Sequence, residues 1–329
     1  MSVNAAPRRT LCLKSGLKLG LLLMLLAFAA PDSFSQRARL VPQLHSGQIL
    51  FYRIDFSSSR KLQTESRVTA SPAPSTENLN VSALLQVEVI EATAARFRLK
   101  TYYSERDRAG SGKDASGTDS AVTVTADKVV EVSIAANGTV SQIKGFEQLT
   151  PAQQFVWIEW LERFTSSMSG PKGGIHPGQK WQSSEPETAA SPIAGLVWSK
   201  NSEYVRDERC PAAADPAKSG TSIFSSASDS CAVVLIRATL RQKSSPKNST
   251  PEDYKLRNLR THGTASGQNE SILYISRASG LLVRATEDAQ QSMDVLIDLS
   301  DGSNQVRNTL DAKSRSEILL LPDASQAVH

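Results

Sequence analysis

Alternation of apolar and polar residues dominates the chain and predicts a mainly β protein. In Val81–Glu91 the odd-numbered residues up to Val89 are apolar, and Arg96–Tyr103 also alternates. A period of two is typical of a strand with one buried face. Ser57–Asn80 is predicted to be a polar loop. Further strands are predicted at Gln48–Phe56, Val129–Ile134, Thr139–Lys144, Gln179–Ser184, Leu196–Arg206, Cys231–Gln242, Tyr254–His262, Ser271–Arg277, Leu281–Asp288, Met293–Leu299 and Gln305–Lys313.

Short turns join many of these strands. Asn137-Gly138 stands between two alternating segments, and both residues tolerate the positive φ that a tight hairpin turn requires. Ser279-Gly280 and Asp301-Gly302 mark two further turns. Short connections between successive strands predict antiparallel meanders.

One segment, Thr150–Met168, changes to a helical period. At 100° per residue its tryptophans and other apolar residues fall on one broad arc, whereas Glu159, Glu162, Arg163 and Ser166 share the opposite arc, so one buried face is expected. Thr150 and Gln153 can form a capping box around Pro151 at the first helical position. Ser169-Gly170-Pro171 marks the end, where the glycine can take a left-handed cap.

A short internal echo lies on either side of this helix. Leu44-His45-Ser46-Gly47-Gln48 resembles Ile175-His176-Pro177-Gly178-Gln179, and a strand–glycine turn–strand unit follows later in each half. We interpret the pattern as a duplicated β unit that forms a curved sheet, a half-barrel or a sandwich. The predicted organisation is a signal peptide at 1–35, β units at 41–149 and 171–321, a connector helix at 150–170, and a tail at 322–329.

The first 35 residues have the pattern of a secretory signal peptide. Arg8, Arg9, Lys14 and Lys18 precede the apolar run Leu19–Ala30, and small residues near Ser35 offer a cleavage site. We therefore expect export, to the periplasm or the medium. The alternative is an anchor formed by the uncleaved segment, although the run is shorter than the roughly 20 residues that a membrane-spanning helix needs.

The net charge and the cysteines of the chain indicate which partners and which cysteine chemistry to expect. The formal net charge of +4 falls to about +1 without residues 1–35, because four basic residues and one acidic residue lie there. A nearly neutral chain gives no electrostatic reason to expect a nucleic acid partner. Cys210 and Cys231 flank a loop rich in Pro, Ala, Ser and Gly, and in an exported protein we expect them to form a disulfide. The open alternatives are a metal pair and a free nucleophile.

The order of these motifs resembles that of uncharacterised families of exported bacterial β-rich proteins. The shared features are a Gly-Gln entry to the first strand, the Asn137-Gly138 hairpin, the helix, the segment Pro177–Trp181 and the final Ser279-Gly280 hairpin. These are turns and strand starts, so the resemblance implies no catalytic residue. A looser architectural likeness is to periplasmic lipoprotein-carrier half-barrels, which implies a curved antiparallel sheet with helices over an apolar cavity.

No common catalytic, phosphate-binding or metal-binding motif is found in the sequence, so we predict no catalytic residue, no metal and no cofactor. His45 and His176 are read as turn residues, with metal or base roles as the alternative. Asp294 and Asp298 share one strand face and are read as solvated, with an acid/base pair as the alternative. Asp298–Asn304 is read as a hairpin turn and not a calcium loop. A basic cluster is read as the wet face of a hairpin, with an anionic surface as the alternative: Arg237, Arg241, Lys243, Lys247, Lys255, Arg257 and Arg260.

The resulting functional hypothesis is a non-catalytic envelope protein, at most peripheral to the membrane. It is expected to bind an apolar ligand or an envelope protein through its sheet surface or cavity. Trp157, Trp160 and Phe164 are the predicted ligand-binding residues, and a packed core helix is the alternative for them. The other two classes are an exported hydrolase without a recognisable motif and a structural β protein.

Overall fold

The chain folds into one large antiparallel β-sheet. The computed structural model describes residues 37–38, 40–66, 73–105, 128–171, 173–187, 191–211, 229–299 and 305–322. Within them eleven strands form an unclosed sheet, which confirms the mainly β prediction. The strands are β1 Ile49–Ser66, β2 Ser75–Ala92, β3 Arg96–Glu105, β4 Val129–Ala135, β5 Val140–Lys144, β6 Lys180–Pro186, β7 Leu196–Arg209, β8 Ser230–Gln242, β9 Leu259–Ser276, β10 Leu282–Leu299 and β11 Gln305–Leu321. The helices are α1 Pro151–Ser166 and α2 Glu252–Leu256, with 3-10 turns at Phe146–Gln148 and Ser167–Ser169.

Two meanders make up the sheet. The strand order is β5-β4-β3-β2-β1-β11-β10-β9-β8-β7-β6. The first meander therefore runs from β1 to one edge, the second runs from β6 at the other edge to β11, and the pairing of β1 with β11 joins them. The predicted hairpin glycines Gly138 and Gly280 have φ of +85° and +68°, and they lie in the β4–β5 and β9–β10 turns. The leader 1–35, the loop Ala109–Ser120, the turn Asp301-Gly302 and residues 323–329 lie outside the described residues.

Several strands are much longer than the sequence pattern predicts. The prediction of a loop over Ser57–Asn80 is wrong at both ends, because β1 continues to Ser66 and β2 begins at Ser75. Ser57–Ser66 pairs with β11 on one side, and Ser57–Leu62 also pairs with β2 on the other. Backbone hydrogen bonds to these neighbours stabilise an extended conformation that the side chains, which lack a period of two, do not signal.

The same effect merges strands in the second meander. The sequence predicts separate strands at Tyr254–His262 and Ser271–Arg277, but the last four residues of the first and all but one of the second belong to the single strand β9. Leu281–Asp288 and Met293–Leu299 likewise merge into β10. Both strands pair with β10 or β9 along almost their whole length, and these backbone hydrogen bonds favour a strand over a turn in the polar segments inside them. The predicted start at Tyr254 is also wrong, because α2 covers it.

Helix α1 begins as predicted and ends earlier. The backbone N–H of Thr150 donates to Oε1 of Gln153 at 3.0 Å, and the Thr150 hydroxyl accepts from the Gln153 N–H at 3.4 Å, which completes the capping box. The α-helix stops at Ser166, and Ser167–Ser169 forms one 3-10 turn. Gly170 has φ of −67°, so the expected left-handed cap is absent at this residue.

The main core lies between α1 and one face of the sheet. Buried apolar residues come from strands β1 to β4 and β7 to β11, and half-buried Trp181 of β6 and Val140 of β5 pack against them. These residues all belong to the compact unit Arg37–His329. Contributions from every strand mean that one continuous apolar core extends across this face of the sheet. A smaller cluster around Leu196 and Val295 covers another part of the sheet.

The two echoed turns have matching geometry. In His45–Gln48 and His176–Gln179 the histidine N–H donates to the glutamine Oε1, at 3.1 and 3.3 Å, and the glycine φ is +82° in both. The glycine N–H donates to the carbonyl of Val89 in the first turn and of Tyr204 in the second. A register shift follows Val89 in β2 and Tyr204 in β7. The duplicated unit stays a prediction, and this equivalence supports it.

Candidate functional site

The three aromatic residues predicted to contact a ligand lie in the protein core. Trp157, Trp160 and Phe164 are each 0% exposed between α1 and the sheet. Ring centroids are 6.2 Å apart for Trp157 and Trp160, 5.2 Å for Trp160 and Phe164, and 5.9 Å for Tyr52 and Trp160. These distances are those of packed aromatic pairs. An apolar ligand could contact these rings only if α1 moved away from the sheet.

Hydrogen bonds orient part of this aromatic cluster. The Trp157 indole N–H donates to the Thr101 hydroxyl at 2.9 Å, and the Tyr52 hydroxyl donates to the Leu282 carbonyl at 3.1 Å. Burial raises the pKa of Tyr52 far above its ordinary value, so this group stays protonated. The Trp160 indole N–H is buried and has no hydrogen-bond partner in the described part of the chain.

A buried charge cluster joins α1 to the sheet beside these rings. Nε of Arg163 lies 3.1 Å from Oε1 of Glu159 one turn earlier, and the Arg163 guanidinium also contacts Glu287 on β10. Hydroxyls of Ser316 and Ser271 donate to Glu159 and Glu287, each at 2.9 Å. All five residues are buried. The expectation that α1 buries only its apolar arc is therefore wrong for Glu159 and Arg163, because β10 and β11 supply polar partners for the opposite arc.

A polar trough lies on the other face of the sheet. Its two adjoining cavities have volumes of about 890 and 520 Å³ and share Ser59, Gln268, Gln290 and Lys313 among their lining residues. The lining comes from six adjacent strands, β2-β1-β11-β10-β9-β8, so the trough crosses the middle of the sheet. The polar residues that line the trough include Ser57, Ser59, Lys61, Asn78, Asn80, Arg237, Thr239, Ser266, Gln268, Glu270, Asp288, Gln290, Ser292, Asp311, Lys313 and Arg315.

Strand register places the trough charges in rows. Arg237, Glu270, Asp288 and Arg315 are successive cross-strand neighbours on β8, β9, β10 and β11. Arg237 Nε lies 2.7 Å from a Glu270 oxygen, and Arg315 Nε lies 3.8 Å from an Asp288 oxygen. Two adjacent carboxylates repel each other, and the flanking guanidinium groups offset this repulsion. Four basic and three acidic residues line the trough, so its net charge is about +1.

Asp294 and Asp298 share a strand face but have different partners. Arg307 donates to both oxygens of Asp294, at 2.9 and 2.7 Å, and this hydrogen bonding lowers the pKa of Asp294. An Asp298 oxygen lies 3.7 Å from Nε2 of His262, whose Nδ1 is 2.6 Å from the Lys247 carbonyl. The nearest acidic residues in sequence, Asp253 and Glu270, lie nine and eight residues from His262. The β9–β10 register brings Asp298 to it.

The remaining candidate residues are two histidines in turns and two cysteines. His45 and His176 are exposed in separate turns, where their backbone N–H groups bond to glutamine side chains. The described residues contain no group of three or more His, Cys, Asp or Glu side chains that could hold a metal ion.

Cys210 and Cys231 form the expected disulfide, with Cα atoms 4.8 Å apart. No helix in the described part of the chain is long and apolar enough to cross a membrane.

The basic cluster divides into paired and unpaired residues. Arg237 pairs with Glu270 in the trough, and Lys255 pairs with Glu252 on α2. The other five residues are exposed and form no ion pair with any described residue: Arg241, Lys243, Lys247, Arg257 and Arg260. Arg237 and Arg241 are both exposed on β8, as a solvated hairpin face predicts, whereas the others lie in the β8–β9 connection or at the start of β9.

Sequence reasoning missed the trough. Ser57 and Ser59 fell in a predicted loop, and Gln290 fell between two predicted strands. The segments that carry them are polar at most positions and lack a period of two. Only the pairing of six strands brings these side chains onto one surface, so no local signal could have identified it.

Comparison with known proteins does not assign the chain to a family. No protein family matches the chain, and no curated protein matches it. Among solved structures, the outer membrane protein OprG from Pseudomonas aeruginosa aligns at 7% identity and a TM-score of 0.18, over 86% of this chain and 100% of that one. A structure of engineered proteins with asymmetric conductivity aligns at 6% identity and a TM-score of 0.20, over 80% and 99% of the two chains. Similarities this low carry no argument about fold or function.

Proposed function

We propose that the protein is an exported, non-catalytic binding protein whose trough binds a neutral, hydroxyl-rich ligand such as a segment of a glycan. The observation that carries this proposal is the lining of the trough, in which residues with amide, hydroxyl and charged side chains outnumber apolar ones. Such a lining can form many hydrogen bonds with a ligand. Neutral polymers rich in hydroxyl and amide groups match this property.

The same lining argues against the other ligand classes. Pockets for apolar molecules are lined mainly by hydrophobic and aromatic side chains, and the centres of protein interfaces are rich in aromatic residues. Among the described residues, no aromatic side chain lines the trough. A net charge of about +1 gives no electrostatic basis for binding a polyanion. The trough carboxylates Glu270 and Asp288 are exposed and near guanidinium groups, which supports binding over hydrolysis. The disulfide is consistent with export.

Affinity electrophoresis in gels that contain dextran or an N-acetylated glycan fragment tests this function. The double variant Gln268→Ala/Gln290→Ala removes two trough amides, and at about 1 kcal/mol per hydrogen bond it should weaken binding about thirtyfold. Gln182→Ala, on exposed β6 outside the trough, is the matched control. Retardation of the parent and the control, but not of the double variant, is the expected result. No retardation by either glycan, or equal retardation of all three proteins, would overturn the proposal.

A second candidate is an apolar ligand that takes the place of α1. The buried charged and hydroxyl groups between α1 and the sheet favour it, because a polar layer weakens an interface relative to apolar packing. Trp157 and Trp160 would then become exposed to the ligand. A shift of tryptophan fluorescence on addition of detergent-free phospholipid or an apolar dye is expected. An unchanged emission spectrum would exclude this candidate.

A further inference from the structure

The connection between β8 and β9 carries exposed apolar and basic side chains that are not part of the core. Helix α2, in this connection, has no buried residue, and Leu256 at its end is 85% exposed. The next most exposed large apolar side chain among the described residues is Ile49, at 45%. Exposed apolar residues are common, but a fully protruding leucine on a short helix contributes nothing to the core.

Basic residues surround this leucine in sequence. The segment Arg241–Arg260, named here the basic loop, contains six basic and two acidic residues. Five of the six basic side chains have no ion-pair partner among the described residues, and all five are exposed. A local excess of about four positive charges is large for a chain whose net charge is only +4.

Buried hydrogen bonds hold the basic loop against the sheet. The Thr250 hydroxyl accepts from the Thr261 N–H at 2.9 Å, and the Ser249 hydroxyl donates to the Thr261 carbonyl at 3.1 Å. The Gly263 N–H donates to the Pro246 carbonyl at 2.9 Å. Ser249, Thr250 and Thr261 are buried. The loop therefore presents Leu256 and its cations from a defined position, which lowers the entropy lost when they contact a partner.

We propose that the basic loop docks the protein onto an anionic lipid surface, with Leu256 inserted among the lipids and the unpaired basic residues on the headgroups. A protruding apolar side chain beside several cations is the pattern of a peripheral membrane contact. The five unpaired cations complement the charge of phosphate headgroups, and the leucine complements the acyl region beneath them. This proposal rests on different residues from the trough, so either one can fail without the other.

Vesicle flotation of the unit Arg37–His329 tests the proposal, since this unit contains the whole core and omits the apolar leader. The vesicles are phosphatidylcholine with phosphatidylglycerol, and phosphatidylcholine alone. The parent should float with the anionic vesicles, weakly with the neutral ones, and less at high salt. Leu256→Ser should weaken binding at least about tenfold. Lys247→Gln/Arg257→Gln should weaken it about 25-fold, at about fivefold per cation.

Matched variants outside the basic loop distinguish docking through this loop from a general effect of net charge or of exposed apolar surface. Lys144→Gln/Arg209→Gln removes two exposed cations elsewhere, and Leu62→Ser removes an exposed leucine on β1. Both should bind as the parent does. Equal flotation with neutral and anionic vesicles would overturn the proposal, as would controls that lose as much binding as the loop variants. Charge-dependent binding that Leu256→Ser leaves unchanged would also overturn it, because the leucine would then not be inserted among the lipids.

Discussion

Removal of the buried Arg163 guanidinium should destabilise the protein more than loss of any surface ion pair. Arg163 is 5% exposed and contacts the carboxylates of Glu159 and Glu287, both also buried. Arg163→Met keeps a long unbranched side chain at the position but leaves two buried carboxylates without a cation. The variant therefore loses electrostatic stabilisation while its packing volume changes little.

The expected loss can be bounded from the contacts that remain. Breaking a buried ion pair by removing one partner costs about 3–5 kcal/mol. Ser316 and Ser271 still donate to the two carboxylates, so we expect the lower end, about 3 kcal/mol. The free energy of unfolding of natural domains is about 5–15 kcal/mol, so this loss is a large fraction of it. The triple variant Glu159→Gln/Arg163→Met/Glu287→Gln removes every charge and should regain more than half of it.

Urea unfolding at pH 7, followed by circular dichroism and tryptophan fluorescence, measures these differences. Arg237→Met breaks an ion pair of which the side chains are 63% and 51% exposed, and it should cost at most about 1 kcal/mol. A loss below about 1 kcal/mol, or a triple variant as unstable as the single one, would refute the reasoning.

Three further outcomes follow from the structure. Trp157→Phe should cost about 1 kcal/mol more than Trp160→Phe in urea unfolding, because only the Trp157 indole has a hydrogen bond; equal losses would contradict this. Reduction of Cys210–Cys231 should lower the free energy of unfolding by about 3 kcal/mol, and an unchanged urea midpoint under reductant would contradict it. The lowered pKa of Asp294 means that its pair with Arg307 stabilises the fold above the ordinary carboxyl pKa and stops doing so as pH falls through the lowered value. In carboxyl NMR titration, Arg307→Gln should return that pKa toward its ordinary range, and an unmoved value would contradict this.

Predictions that rest on local chemistry agree with the structure best. The capping box at Thr150, the positive φ of Gly138 and the disulfide Cys210–Cys231 each depend on residues close in sequence or on one loop. The expected left-handed cap at Gly170 is wrong. That ending depends on how the chain leaves α1 for the sheet, which local propensity does not include.

The environment of the candidate sites depends on contacts between residues that are far apart in sequence. The sequence placed Trp157, Trp160 and Phe164 on one helical face, and the structure buries all three in the core. It gave no sign that Glu159 and Arg163 are buried as well, because their partners outside the helix come from β10 and β11, more than a hundred residues later. The trough could not be predicted because its residues come from six strands and show no periodicity of their own.

The amino-acid sequence by itself determined a mainly β chain with one amphipathic helix, its tight turns and its disulfide. These features depend on side-chain period, on glycine φ and on two cysteines, and all of these act over short distances or in pairs. The tertiary structure decided how long the strands are, which charges are buried, and where the trough and the basic loop lie. Long-range pairing of strands decides those features, since backbone hydrogen bonds extend any segment that lies beside a paired neighbour, whatever its pattern.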